Sequence, residues 1–250
     1  MCADSAMSNE IELKLRIDAT DVARLRRHPA LLRQLTEPPL TRRLTSIYFD
    51  TPDLQLLDVA ISLRVRHMAG GWFQAVKGAG HSLAGLHQRM EWEDIISSDQ
   101  PDFDKITEPG LAAIFADPAL RRALRPIFIT DVERTEWQLV FADGSAIEAA
   151  LDLGELQPGA GSADWPHENI CELELELKRG NASHIFELAL ALQADIPLQI
   201  ENISKAQRGY AHFRRFPSPI APPPLPDALP AGTTTELAFR QLAGLCLQHL

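Results

Sequence analysis

The chain has 250 residues, 45% of them hydrophobic and 23% charged, and a formal net charge of −10. That is the composition of an ordinary globular protein, one large domain or one domain with a short addition. The overall acidity argues against non-specific binding to duplex nucleic acid, although a concentrated basic pocket remains compatible with it. No apolar run approaches the roughly 18 residues of a membrane span, and the start, "MCADSAMSNE", has neither a basic nor an apolar signal region. Cys2, Cys171 and Cys246 are too scattered for a zinc pattern or a disulfide framework. The expectation is a cytoplasmic protein in which Cys171 is a small buried residue.

In chain order, residues 1–8 read as a disordered tail. "NEIELKLRI" (9–17) alternates Glu10, Glu12, Lys14 and Arg16 with apolar residues, the period of a strand. Asp18 or Thr20 can cap a following helix, which Pro29 breaks or kinks. "TRRLTSIYFDTPD" predicts a strand ending in a turn. "ISLRVRHM", "GGWFQAVKGAG" and "LHQRMEWEDII" predict three more, with Arg64 and Arg66 sharing a face, Lys77 at the end of the second, and Arg89, Glu91 and Glu93 sharing a face of the third. Residues 101–125 look helical. "IFITDVERTEWQLVFADGSAIEAALDLGEL" predicts a hairpin turning at Asp143-Gly144, with Arg134 on one arm and Glu148 and Asp152 on the other. "NICELELELKRG" places Glu172, Glu174, Glu176 and Lys178 on one face, and a helix is expected at about 181–194. Seven prolines between Pro217 and Pro230 mark 214–233 as an extended linker. Residues 234–250 read as one amphipathic helix with nothing of its own to pack on.

About eight strands in meander order, with two or three helices among them, suggest a closed barrel or a sandwich. On several of these strands a single face carries Glu and Arg with few neutral polar residues. Strands that turn charge to one side can close around it, and buried charge needs a partner. Carboxylates in number suggest Mg²⁺ or Mn²⁺, and Arg and Lys in number suggest phosphate. There is no Walker-type glycine loop and no Ser/His/Asp arrangement, and His87 is read as structural.

The motif Glu10-x-Glu12-x-Lys14 resembles the ExExK signature of the CYTH superfamily, the triphosphate tunnel metalloenzymes. The resemblance continues in order through "YFDTPD", "SLRVR", "AVK", "LHQRMEWE", "DVERTEW", "IEAALDLGE", "ICELELEL" and "ISKAQRGY", over 9–213, and points to the bacterial inorganic triphosphatase branch. It implies an α+β fold: a closed antiparallel eight-stranded β-barrel with helices outside. It also implies a Mg²⁺ or Mn²⁺ cofactor held by Glu10, Glu12, Asp152, Glu172, Glu174 and Glu176, with the choice within 172–176 open. Lys14, Arg64, Arg66, Lys77, Arg89, Arg134 and Lys205 would bind phosphate, with Arg43 a weaker candidate, and Glu10, Glu12 and Lys14 would form the catalytic set.

The implied activity is hydrolysis of inorganic triphosphate to pyrophosphate and phosphate. Polyphosphate is a further polyanion partner, and neither nucleic acid nor membrane is expected. The helix at 234–250 would begin a CHAD-like domain whose remainder is absent from the chain. The rival readings are an adenylate cyclase, a thiamine triphosphatase using Trp72, Phe73 or Trp92 as an aromatic shelf, and a non-catalytic polyphosphate-binding module.

Overall fold

A computed structural model describes residues 8–68, 70–83, 85–160, 165–214 and 233–247. The first tail residues and most of the proline-rich stretch therefore lie outside the described residues. Nine strands are present among those described: β1 (Ser8–Ile17), β2 (Leu40–Asp50), β3 (Ser62–Met68), β4 (Gly71–Leu83), β5 (Leu86–Ile96), β6 (Arg125–Val140), β7 (Ala146–Pro158), β8 (Glu168–Arg179) and β9 (Leu198–Ile200). The helices are α1 (Val22–Leu25), α2 (Pro29–Leu32), α3 (Gln55–Asp58), α4 (Pro109–Ile114), α5 (Pro118–Ala123), α6 (Ser183–Gln193), α7 (Lys205–Arg214) and α8 (Thr235–Leu247). No described helix is long and apolar enough to cross a membrane.

Every strand pairing is antiparallel, in the order β5-β4-β3-β2-β6-β7-β8-β1-β9. The α+β character expected from the sequence is present. The closed barrel of eight full strands is corrected to a nine-stranded sheet curled into a half-barrel. The physical reason lies at β1. It pairs with β5 over Ser8–Leu13 and with β8 over Glu12–Arg16, so only Glu12 and Leu13 pair with both of those strands. Beyond them β9 takes the place of β5. The two ends of the sheet thus meet at a staggered seam, not along a whole strand.

Two apolar clusters cover the outer face. Leu13, Leu15, Trp137, Leu139, Leu151, Leu173 and Leu175 pack under α6 through Ile185, Leu188 and Leu192. Phe49, Leu63, Val65, Val76 and Trp92 pack under Leu56, Phe115 and Leu120. Trp92 is therefore core, and Trp72 packs against the same cluster, so neither forms the shelf considered for thiamine. Cys171 is half-buried. Pro29 opens α2 instead of breaking a longer helix, because its fixed φ and missing N–H suit a first helical position. The stretch 101–125 holds a 3-10 turn at Phe103–Lys105 and then the short helices α4 and α5, each begun by proline after an acidic cap, Glu108 or Asp117. The Asp143-Gly144 turn forms as expected, with Gly144 at φ +84°.

A third cluster lies on the concave face. Tyr48 stacks on Phe128 at 4.4 Å, and Leu44, Val132, Leu156, Ile170 and Tyr210 complete it. Tyr210 belongs to α7, which packs on β6 and β7. The approach is close because residue 209 is glycine: a Cβ there would lie 2.3 Å from the Phe128 ring. Helix α7 and this cluster close one side of the interior and aim the first residue of α7, Lys205, inward.

Candidate functional site

The concave face encloses a cavity of about 340 Å³. The ladder registers explain why its lining is charged. Glu10, Glu12 and Lys14 alternate inward on β1, Arg42 and Tyr48 on β2, Arg64 and Arg66 on β3, Lys77 on β4, Arg134 and Glu136 on β6, and Glu174, Glu176 and Lys178 on β8. Among the described residues that line it, acids and bases are equal in number, so neither sign of charge accumulates alone between low-dielectric walls.

The most buried part centres on Asp152, Glu172 and Glu174. Their carboxylates offer oxygens within 4.8 Å of one another. Arg134 donates to Asp152 through two 2.6 Å bonds and to Glu174 through a third of 2.6 Å. The Lys205 ammonium lies 2.8 Å from Asp152 and 2.9 Å from Glu174 and also bonds Glu172. Arg208 reaches Glu172 at 2.6 Å from the next turn of α7, and Lys14 bridges Glu12, at 2.8 Å, and Glu174. Burial alone would raise the carboxyl pKa values of Asp152 and Glu174. The surrounding cations outweigh it: Arg134 and Lys205 lower Asp152, and Lys14, Lys205 and Arg134 hold Glu174 well below the carboxylate range.

This trio fits a hard divalent cation. It is an all-oxygen donor set of the kind Mg²⁺ and Mn²⁺ take, and it already surrounds one cationic centre, the Lys205 ammonium. Of the other carboxylates expected to hold metal, Glu12 shares Lys14 with Glu174. Glu10 contacts Lys77 at 2.9 and 3.0 Å. Glu176 pairs with Lys178 at 2.7 Å, and burial raises its pKa, with Glu10 and Glu148 adding to the rise.

The expected phosphate-binding residues divide by how their charge is used. Lys14, Arg134 and Lys205 are bound to the trio. Lys77 contacts Glu10 and Glu91, and Arg64 reaches Glu91 at 3.3 Å and Glu93 at 3.5 Å. Arg66 has no carboxylate partner among the described residues; its Nε donates to Ser46 Oγ at 2.9 Å. Burial and the neighbouring Arg64 and Arg134 guanidiniums push its pKa down to about 10. The side chain of Arg89 lies outside the described residues; its backbone pairs with Glu10. Arg43 points outward to Asp131 and is 77% exposed, and Arg16 is exposed beside Gln199. His87 Nε2 lies 3.3 Å from the Glu201 carbonyl, a contact of the structural kind expected.

Sequence reasoning passed over Arg42 and Tyr48. The period-two rule would have found both, since Arg42, Leu44, Ser46 and Tyr48 share a face with the inward residues of β3 and β6. The Tyr48 phenol is buried, which raises its pKa, yet Arg64, Arg66, Lys77 and Lys205 bring it below the usual value.

The model of the CYTH domain matches residues 8–210. The chain belongs to the CYTH family. It is 32% identical over 209 residues to the inorganic triphosphatase of Haemophilus influenzae, covering 83% of this chain and 56% of that protein. It thus spans little more than half the length of that relative. A solved structure from Hippeastrum, described as a candidate adenylyl cyclase that reveals a dominant triphosphatase activity, shares the fold: TM-score 0.52, 20% identity, 84% of this chain and 98% of that one.

Proposed function

We propose that this chain hydrolyses inorganic triphosphate to pyrophosphate and phosphate inside the curled sheet, which works as a tunnel. The observation that carries the reading is Arg66, a half-buried guanidinium beside two others with no carboxylate partner among the described residues. Such a group calls for a polyanion. The relation to the Haemophilus influenzae inorganic triphosphatase points the same way.

Arg64, Arg66 and Lys77 would grip one end of the phosphate chain, and Lys14, Arg134 and Lys205 the other. Positioning and charge neutralisation are what phosphoryl transfer requires of a protein. Each of these cations except Arg66 rests on a carboxylate, so binding would exchange ion pairs without stranding charge. A divalent ion, Mg²⁺ or Mn²⁺, would be held by Asp152, Glu172 and Glu174, with Glu10, Glu12 and Glu176 as further carboxylates, and would neutralise phosphate oxygens. Helix α7 and the Tyr48–Phe128 cluster would keep bulk water from one side. The described helix at 235–247 fits the start of a further helical, CHAD-like domain after a linker, and a cytoplasmic location suits the substrate.

The test is incubation with tripolyphosphate, ATP or thiamine triphosphate plus Mg²⁺ or Mn²⁺, following phosphate, pyrophosphate and cyclic AMP. Equal release of phosphate and pyrophosphate from tripolyphosphate is expected. Binding without turnover would favour a module that only holds polyphosphate, and cyclic AMP formation would favour the cyclase.

A further inference from the structure

We propose that Asn202 is a positioning residue for the hydrolysis: it fastens the turn between β4 and β5 to the segment that leads into α7, and so holds Lys14 and Lys205 at one spacing. The inference rests on the triphosphatase reading above. Lys14 is the residue at which β1 changes partner. Up to Leu13 the strand pairs with β5, and from Leu15 with β9. At Lys14 the hydrogen bonds go to the residues just beyond those two strands. Its N–H donates to the Gly85 carbonyl at 2.9 Å, and its carbonyl accepts from the Glu201 N–H at 2.9 Å. Lys14 is buried, so either backbone group left without a partner would be unfavourable. Both groups point away from β8. Lys14 and Glu174 are therefore a pair without backbone hydrogen bonds between them, the kind whose side chains lie closest.

Asn202 ties these two partners of Lys14 together. Its Oδ1 accepts from the Gly85 N–H at 2.6 Å. The turn sits tightly against the seam. Gly85 has φ +76°, and a Cβ there would lie 2.5 Å from Ile200 Cγ2 and 3.1 Å from the Lys14 carbonyl oxygen, so glycine is needed for the approach. The segment after β9 is braced as well: the Glu201 carboxylate accepts from the Ile203 N–H at 2.9 Å. Three residues after Asn202 comes Lys205, the start of α7. The Lys14 and Lys205 ammoniums meet on one oxygen of Glu174, Oε1. One short segment thus holds the Lys14 carbonyl through Glu201, holds the turn that accepts from the Lys14 N–H through Asn202, and leads into the helix that carries the second lysine. Without Asn202, Lys14 would stay in the cavity but lose its fixed distance from Lys205.

The experiment compares wild type, Asn202→Ala and Asn202→Asp as full chains, by amide hydrogen exchange and by steady-state hydrolysis of tripolyphosphate with Mg²⁺ well below the melting temperature. In Asn202→Ala the Lys14 and Gly85 amides should exchange about tenfold faster, the effect of losing one hydrogen bond, with the amides of β6 and β7 unchanged. Its kcat should fall about tenfold, since a small misplacement of a reacting group is costly. KM should stay within about twofold, because Arg64, Arg66 and Lys77 still grip the substrate, and a general loss of stability would not produce that split. Asn202→Asp keeps the acceptor and should restore both exchange and kcat. Unchanged exchange in Asn202→Ala would overturn the tie itself, and faster exchange with unchanged kcat would overturn the positioning role. If Asn202→Ala does not fold, Asn202→Asp decides: wild-type exchange and kcat support the proposal, and a tenfold lower kcat overturns it. Wild type that does not cleave tripolyphosphate would overturn the triphosphatase reading and this role with it, while the exchange rates would still report on the tie.

Discussion

Arg134 and Asp152 face each other across β6 and β7, joined by two parallel 2.6 Å hydrogen bonds, with the carboxylate fully buried. Removing one partner strands the other. Asp152→Ala should therefore destabilise the fold by about 3–5 kcal/mol, measured by urea denaturation. A variant as stable as the wild type would mean that Glu172 and Glu174 suffice to neutralise Arg134 and Lys205.

Arg66 should behave in the opposite way. It has Ser46 for a hydrogen-bond partner and two arginines for neighbours. Arg66→Ala should leave stability unchanged or slightly raised, while tripolyphosphate affinity falls at least tenfold. Loss of stability together with unchanged affinity would remove the main support for an anion site.

Gly209 lets α7 reach the Phe128 ring. By helix propensity alone Gly209→Ala should stabilise by about 1 kcal/mol. The overlap with a buried ring should reverse that sign and cost about 1–3 kcal/mol. Because Lys205 shares the helix, triphosphatase activity should fall as well. Thermal unfolding that shows a gain in stability would show that α7 is not held at this distance.

His184 ties α6 to the β6–β7 turn. Its ring lies 2.9 Å from Asp143 and 2.8 Å from Glu187 and stacks on Phe141. Hydrogen bonds to Asp143 and Glu187 raise the His184 pKa, and the His184 contact, with help from Ser145, lowers Asp143 to about 2. A raised histidine stabilises fully below its unfolded value of about 6.5 and ceases to as pH rises through the folded value. The melting-temperature difference between wild type and His184→Ala should thus be largest below pH 6 and shrink through the neutral range. Because the partner carboxylates of Asp143 and Glu187 are exposed and screened, the effect is modest. A difference independent of pH would leave ring stacking as the whole contribution.

The strands and the charged face of each were legible because a period of two survives in any strand with one apolar face. Glu10, Glu12 and Lys14, Arg64 and Arg66, and Glu172 and Glu174 were found in this way, and their order along the chain carried the family. Two things were not legible. Which side of β2 faces inward depends on its register against β3 and β6, so Arg43 drew attention and Arg42 did not. Pairing across 160 residues, as between Lys14 and Glu174, leaves no trace in local pattern.

The sequence by itself determined that the chain alternates charge and apolar residues on successive antiparallel strands, and that the charge includes both the carboxylates and the cations a metal–polyphosphate site needs. Only the tertiary structure decided which charges meet. The staggered seam at β1 brings β5 and β8 to the same strand, and the missing side chain at Gly209 seats α7. These set the trio of Asp152, Glu172 and Glu174 around Lys205 and leave Arg66 without a carboxylate partner among the described residues. The reason is physical: alternation fixes the face of a side chain, but its partner depends on register and on curvature. Both are set by packing between segments far apart in the chain.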